Sequence, residues 1–389
     1  MPIRSEWSLA REGVTGDTIG RLLKLTALNP ALTLPLLLLA RYTTKGNIVA
    51  REHATALKHL KTLVGLGVAA SVSRWLDAAV SNNWSNDTYV WSREVVVVTG
   101  GSDGIGKVVT QLLAERGIKV AVLDVQELTY KAPSSVRFFH CDLSSPSSIA
   151  STASSIRSTL GNPTVLINNA GVARGKTILD STEKDINLTF KVNAFAHYYL
   201  AQQFLPNMVE NNHGMVVTVA SLAGYISAPS MVDYAASKAA AVAFHEGLAA
   251  ELVTHYNAPK VRTVLMCQGY TKTALFEGFD SKFLYPETVA EEIVKAVLGG
   301  KSRHITLPET AWFLAPKIRG WPLWMQYGMR KRMDSFMRNW KGRQVVQPSL
   351  EGEGGENEKD GEGLLGDGKG EVEVEVEVEG STVLVDGSS

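Results

Sequence analysis

Residues 94–106 read Glu-Val-Val-Val-Val-Thr-Gly-Gly-Ser-Asp-Gly-Ile-Gly. The first six, Glu94–Thr99, form an apolar run too short for a helix, of the kind buried on both faces in parallel sheets. Glycines at 100, 104 and 106 then let the backbone turn tightly and approach an anion with no Cβ in the way. Lys107–Arg116 has helical spacing and ends before Gly117, a C-cap residue. Strand, glycine turn and helix together make a pyrophosphate cradle, with the positive end of the helix aimed at the anion.

The rhythm repeats downstream. Lys119–Asp124, Val136–Asp142, Thr164–Asn168, Gly214–Ala220, Val261–Met266 and His304–Leu307 read as strands. Pro146–Leu160, with Ser145 as its N-cap, Glu183–Asn211, Val232–His255 and Pro286–Leu298 read as helices. Such alternation predicts an α/β fold with a doubly wound parallel sheet, whose ligands bind at the carboxyl ends of the strands. Asp124 ends the second strand, where a carboxylate accepts from the ribose hydroxyls of NAD and repels a 2′-phosphate. Asp103 adds a second negative charge. The pattern favours NAD without excluding NADP.

Tyr234 and Lys238 stand one helical turn apart, on one face. A phenol normally titrates near ~10, and an adjacent ammonium together with the positive nicotinamide of an oxidised cofactor is expected to lower that value. Ser221 follows the fifth strand directly, so its hydroxyl falls at the ligand edge and can hold a substrate oxygen while Tyr234 moves a proton. The histidines show no ligand spacing, and two cysteines make neither a disulfide framework nor a zinc site, so no metal is assigned.

These features resemble the short-chain dehydrogenase/reductase family over about residues 94–307. The resemblance rests on the TGxxxGxG turn, Asn168-Asn169-Ala170-Gly171, Ser221, and Tyr234 with Lys238. It implies a Rossmann-type sheet and an alcohol dehydrogenase or carbonyl reductase. Ser221, Tyr234, Lys238 and Asn193 would be catalytic, Asn193 holding a relay water. Gly100, Ser102, Asp103, Gly104, Ile105, Gly106, Asp124, Asp142, Asn169, Ala170, Gly171, Tyr234, Lys238, Gly269, Thr271 and Thr273 would meet the cofactor, with Asp142 beside the adenine. Cys267-Gln268-Gly269 departs from the Pro-Gly usual after the sixth strand, and Leu275-Phe276 resemble the start of a lid. The flanks are similar to the membrane-associated retinol and hydroxysteroid dehydrogenases. That similarity implies a lipophilic small-molecule substrate such as a retinoid, steroid or long-chain alcohol, and a possible homodimer. A fatty-acyl or sphingoid-base ketone reductase and a catalytically idle scaffold on lipid droplets or endoplasmic reticulum are the rival readings.

The net charge of +0 hides a split: residues 351–389 hold 13 acids against 2 Lys, and residues 1–350 hold 26 acids against 37 bases. The basic excess is spread out, so nucleic acid is not an expected partner. Residues 349–389, with the run EVEVEVEVE, lack the apolar content for a core and are expected to be a disordered acidic tail. The N-terminal zone, residues 1–93, is an apolar extension. Leu25–Ala40 has 16 uncharged residues broken by Asn29, Pro30 and Pro35, short of the ~20 that span a bilayer. Thr62–Ser73 adds 12 more, which suit an interfacial or buried helix. Arg21 and Lys24 before the first stretch, with Arg41 and Lys45 after it, favour a hairpin with both ends cytoplasmic. Residues 308–348 are basic and aromatic: 317–343 carry eight Lys/Arg and one Asp among Trp321, Trp324, Tyr327, Phe336 and Trp340, which suits an anionic bilayer surface. The expected location is the endoplasmic reticulum membrane or a lipid droplet, with the catalytic domain facing the cytosol.

Overall fold

The computed structural model describes residues 3–5, 8–276, 283–337 and 340. The acidic tail lies outside the described residues. Seven strands form one parallel sheet: β1 (Val95–Thr99), β2 (Lys119–Asp124), β3 (Val136–His140), β4 (Val165–Asn168), β5 (Met215–Val219), β6 (Arg262–Gln268) and β7 (Arg303–Leu307). Their order is β3-β2-β1-β4-β5-β6-β7. Alternate residues of β1 face opposite layers. Val96 and Val98 pack with helices α5 (Gly104–Ala114) and α10 (Pro286–Leu298), through Val109, Leu113, Ile293 and Val297. Val97 faces α6 (Pro146–Leu160), α8 (Ala196–Glu210) and α9 (Val232–Thr254), through Ile156, Phe204 and Leu248. Burial on both faces is what makes an unbroken valine run read as a strand.

The stretch expected as one helix from 183 to 211 is two. Helix α7 (Glu183–Phe190) and α8 are joined by a wide π turn, Lys191–Phe195, at whose centre Asn193 bonds away from the helix. The capping of α6 is as expected, Ser145 accepting from the Ser148 N–H.

The N-terminal extension folds as α1 (Gly16–Leu25), α2 (Pro30–Tyr42), α3 (Thr44–Glu52) and α4 (Ala54–Ser81). Helices α1 and α2 are bent by 48° across the Asn29–Pro30 break. Helix α4 corrects the sequence reading. The 12 uncharged residues 62–73 are the middle of a 28-residue helix, about 42 Å long, enough to cross a hydrocarbon core of about 30 Å. Lys58, Lys61 and Arg74 interrupt the uncharged run, but long basic side chains reach along a helix surface to a polar boundary. Only Val64 and Gly67 of α4 are buried. Gly67 takes the backbone of Leu28, since a Cβ there would lie 2.7 Å from the Leu28 carbonyl oxygen.

The carboxyl end of α4 is clamped to the amino-terminal edge of the sheet. Arg262, at the start of β6 and 1% exposed, donates to the carbonyls of Asn82 (3.0 Å) and Ser85 (2.8 Å). Asn82 accepts the Ser302 N–H through its side-chain oxygen at 2.9 Å. Asn82→Ala leaves that buried N–H unpaired, at a cost of about 1–3 kcal/mol. Thermal unfolding should show a Tm lowered by several degrees. An unchanged Tm in Asn82→Ala would show that the clamp contributes nothing.

Candidate active site

The open cleft lies at the carboxyl ends of the strands, and its floor is the glycine turn. Gly100 has φ +64°, and a Cβ there would sit 2.8 Å from Cα of Ala170. Gly104, φ +57°, opens α5. Thr99 Oγ1 accepts the N–H groups of Asn169 (2.9 Å) and Ala170 (3.0 Å), while Asn169 Nδ2 donates to the carbonyls of Thr99 (2.9 Å) and Gly100 (3.1 Å). The ends of β1 and β4 are thereby locked with the free N–H groups of α5 facing the cleft.

At the β2 end, Asp124 accepts from the N–H groups of Ser102 (3.0 Å) and Gln126 (3.1 Å). Ser102 is buried under the turn, its hydroxyl donating to the Gln126 carbonyl. Asp142 accepts both Ser144 donors with Oδ1, and its Oδ2 is buried with no hydrogen-bond partner among the described residues. The glycine turn at 100 and 104, opening onto the amino end of α5, fits the pyrophosphate of an adenine dinucleotide. Among the described residues that line the cleft, Lys238 is the only Lys or Arg.

Ser221, Tyr234 and Lys238 converge at the other end. Strand β5 delivers Ser221, and α9 carries Tyr234 and Lys238. Lys238 Nζ donates to the Val219 carbonyl at 2.9 Å, beneath Gly171, and lies 5.9 Å from the centre of the Tyr234 ring. The Ser221 hydroxyl donates to the Gln268 carbonyl at 3.3 Å and accepts the Ala223 N–H at 3.1 Å. Burial decides both pKa values. It pushes Tyr234 up to about 12 against the opposing influence of Ser221, and Lys238 down to about 8. The expected depression of the phenol by the ammonium is therefore not present in the protein alone, because both groups are desolvated together.

Residues 94–282 match the model of the short chain dehydrogenase family. Dehydrogenase RED2 of Cochliobolus heterostrophus is 46% identical over 208 residues, 53% of this chain and 78% of the relative. The chain belongs to the short-chain dehydrogenase family. Estradiol 17-beta-dehydrogenase 11 of Homo sapiens is 33% identical over 232 residues (57% and 77% of the two chains). Epidermal retinol dehydrogenase 2 of Mus musculus is 28% identical over 278 (68% and 88%). A solved short-chain dehydrogenase from Streptomyces avermitilis superposes with a TM-score of 0.52 at 22% identity, covering 64% of this chain and 99% of its own, and shows the same fold. This short-chain dehydrogenase is thus an oxidoreductase that interconverts alcohols and carbonyls of small molecules with NAD(P)(H).

Gly100, Asp103, Gly104, Ile105, Asp124, Asn169, Ala170, Gly171, Ser221, Tyr234, Lys238, Gly269, Thr271 and Thr273 all line the cleft. Ser102, Gly106, Asp142 and Asn193 do not; they shape it from behind. The Asn193 amide accepts the Val172 N–H (2.8 Å) and donates to the Val172 carbonyl (2.8 Å) and to Ser237 Oγ (3.0 Å). Its side chain is fully engaged with protein, tying the Gly171–Val172 segment to α9. Sequence reasoning missed Gln126, Val172 and Val192 on the lining, and Gln268, noted only as a departure from Pro-Gly, lines it too.

The basic aromatic segment divides. Trp324 and Tyr327 on α11 (Leu323–Arg332) are exposed, but Trp340 is 3% exposed, packed on the catalytic domain rather than offered to a surface.

Burying Lys238 costs stability while it is charged. The folded state releases its proton near pH 8 and the unfolded chain near 10.5, so stability rises with pH between those values. Lys238→Met should destroy turnover yet raise Tm below pH 8, with the gain fading as pH approaches the unfolded value. A Tm gain that grows above pH 9 would contradict this sign.

Proposed function

We propose that this enzyme oxidises and reduces a lipophilic alcohol/ketone pair with NAD(H), at the endoplasmic reticulum membrane or a lipid droplet, its catalytic domain facing the cytosol. The carrying observation is the cleft wall beside Tyr234, where Val172, Val192, Leu275 and Phe276 offer apolar surface to whatever is bound to the carbinol carbon. A retinoid, a steroid or a long-chain alcohol fits that chemistry. The relatives named for retinol and estradiol support the reading.

Ser221 and Tyr234 hold the substrate oxygen between their hydroxyls. Tyr234 takes the hydroxyl proton during oxidation and returns it during reduction. Lys238, fixed on Val219, keeps a cation below the phenol and, with Gly171, faces the cofactor ribose. Asn193 holds this segment and its wide turn in place. Bound NAD supplies the hydride acceptor and NADH the hydride donor. Asp124 and Asp103 make the adenosine end unfavourable for a 2′-phosphate, with no lining Arg or Lys near them to offset it. Burying the catalytic trio is costly, which speaks against an idle scaffold.

A membrane location is supported by the apolar surface of α2 and α4. Leu32, Leu36, Leu39, Leu66, Val72 and Trp75 are all at least half exposed. A second copy of this chain is proposed on the α8–α9 face, where Tyr198, Leu205, Val209, Phe244 and Tyr256 line an apolar groove.

Steady-state kinetics with decan-2-ol tests the chemistry. Tyr234→Phe should lower kcat by at least about 100-fold while the NADH Kd stays within about threefold. The unmodified enzyme should have the higher kcat/KM with NAD than with NADP, and Asp124→Ala should narrow that gap. Retained turnover in Tyr234→Phe, or preference for NADP, would overturn the respective assignment.

Fractionation tests the location. The protein should sediment with membranes, resist carbonate and be released by detergent. Leu66→Asp combined with Val72→Asp on α4, each costing about 3 kcal/mol in a bilayer interior, should move it to the soluble fraction. Unmodified protein found soluble at low salt would refute the anchor.

A further inference from the structure

Leu275 and Phe276 sit in the single 3₁₀ turn Ala274–Phe276, none of whose residues is fully buried. Phe276 stands edge-on to Tyr234, with ring centres 5.9 Å apart at 85°, and meets Tyr270 of its own loop at 5.8 Å. A further contact holds it from outside that loop.

That contact comes from far along the chain. Trp340 stacks on Phe276, with centres 5.4 Å apart and planes within 19°, and its indole N–H donates to the Leu275 carbonyl at 3.1 Å. It belongs to the same buried cluster as Ala173, Ala228, Met231 and Tyr234. Its own segment is tied down independently. Ala315 and Ile318 pack on Ile226, and Arg319 donates to the Gly224 carbonyl at 3.0 Å. Met333 packs against both clusters. Trp340 does not line the cleft; Leu275 and Phe276 do.

We propose that Trp340 is a positioning residue for substrate, clamping the Leu275–Phe276 wall over Tyr234 and so setting how tightly a lipophilic alcohol is held. This rests on the proposed assignment of Tyr234 and the apolar wall. The substrate oxygen must meet Tyr234 and Ser221, so the carbon chain leaving the carbinol carbon runs along Phe276. With Trp340 removed, Phe276 loses its stacking partner and the chain loses a fixed apolar surface. That surface is equally present in ground and transition states, so binding suffers and the chemical step does not.

Calorimetry of decan-2-ol binding to the enzyme–NADH complex tests this without requiring turnover. Trp340→Ala should raise the decan-2-ol Kd about tenfold, the scale of one lost aromatic pair, with the NADH Kd and the midpoint of the pH profile unchanged. Trp340→Phe, which keeps the stack, should recover most of the affinity even if the alanine variant is poorly folded. Phe276→Ala should weaken binding equally, and the double variant no further, because both substitutions remove one surface. An unchanged Kd in Trp340→Ala, losses that add in the double variant, or equal losses of NADH and decan-2-ol affinity would each overturn the proposal. Failure of the catalytic assignment shows separately, as turnover retained in Tyr234→Phe.

Discussion

The structure depends on what happens where β1 and β4 end side by side. The helices that follow them leave to opposite faces of the sheet, so the two strand ends part and a crevice must open between them. Parting strands strand their last backbone donors. Thr99 answers this with one atom: Oγ1 accepts the N–H groups of both Asn169 and Ala170. Asn169 returns its amide to the carbonyls of Thr99 and Gly100. Close approach of the two backbones is then compulsory, which is why residue 100 has no side chain. Cofactor cradle and sheet stability are one feature. Any substitution that separates β1 from β4 removes the floor of the cleft.

The same economy governs the catalytic end. Lys238 holds α9 to β5 by donating to Val219, and in doing so is carried out of water. An ammonium in that position favours losing its proton, and a buried phenol favours keeping its own. The apo site therefore stands with both proton equilibria displaced toward the neutral forms. In the role proposed for Tyr234, a proton moves to or from substrate only when further charge is brought in to shift that balance. The protein supplies geometry and a dry environment, and leaves the electrostatics to be completed on binding. Asn193 serves the geometry. Its amide spans from Val172 to Ser237, and the wide turn that frees it from helix packing is the local cost of that reach.

Most of this was legible in the sequence because burial on two faces leaves a strong signal. The run Val95–Val98 and the strand from Lys119 to Asp124 have one reading only, and the glycine turn derives its meaning from lying between the first strand and a helix. Ser221, Tyr234 and Lys238 were legible from spacing to the end of β5 and along α9. The reading failed where a tertiary contact decides. The π turn at Lys191–Phe195 follows from a hydrogen bond to Val172, twenty-odd residues away, which no local pattern announces. Helix α4 was undercounted because Lys58, Lys61 and Arg74 split its apolar run, though a helix carries them without ending. The raised pKa of Tyr234 in the protein alone leaves no mark in the spacing, which reports the ammonium but not the desolvation of both groups. Trp340 looked like one more interfacial aromatic in a basic segment, and only the fold shows it stacked on Phe276.

The apolar extension is docked to the domain at both of its ends. Its far end meets the domain at the amino-terminal edge of the sheet, where Asn82 and Ser85 sit on Arg262 and Ser302. Its near end meets the domain just past the carboxyl end of β7, where both carboxylate oxygens of Asp17 accept the N–H groups of Glu309 (2.7 Å) and Thr310 (2.8 Å), and Lys24 pairs with Glu309. Arg11 adds an ion pair to the buried Glu291 at 2.9 Å. Two attachment points at opposite edges of one sheet fix a direction, whereas one would leave a swivel. The exposed leucines of α2 and the apolar surface of α4 therefore hold a set orientation relative to the cleft. In the membrane location proposed above, the covering apolar phase would also fix the height and tilt at which the cleft opens, so the route of the proposed lipophilic substrate would be built into the same ion pairs and hydrogen bonds that dock the extension.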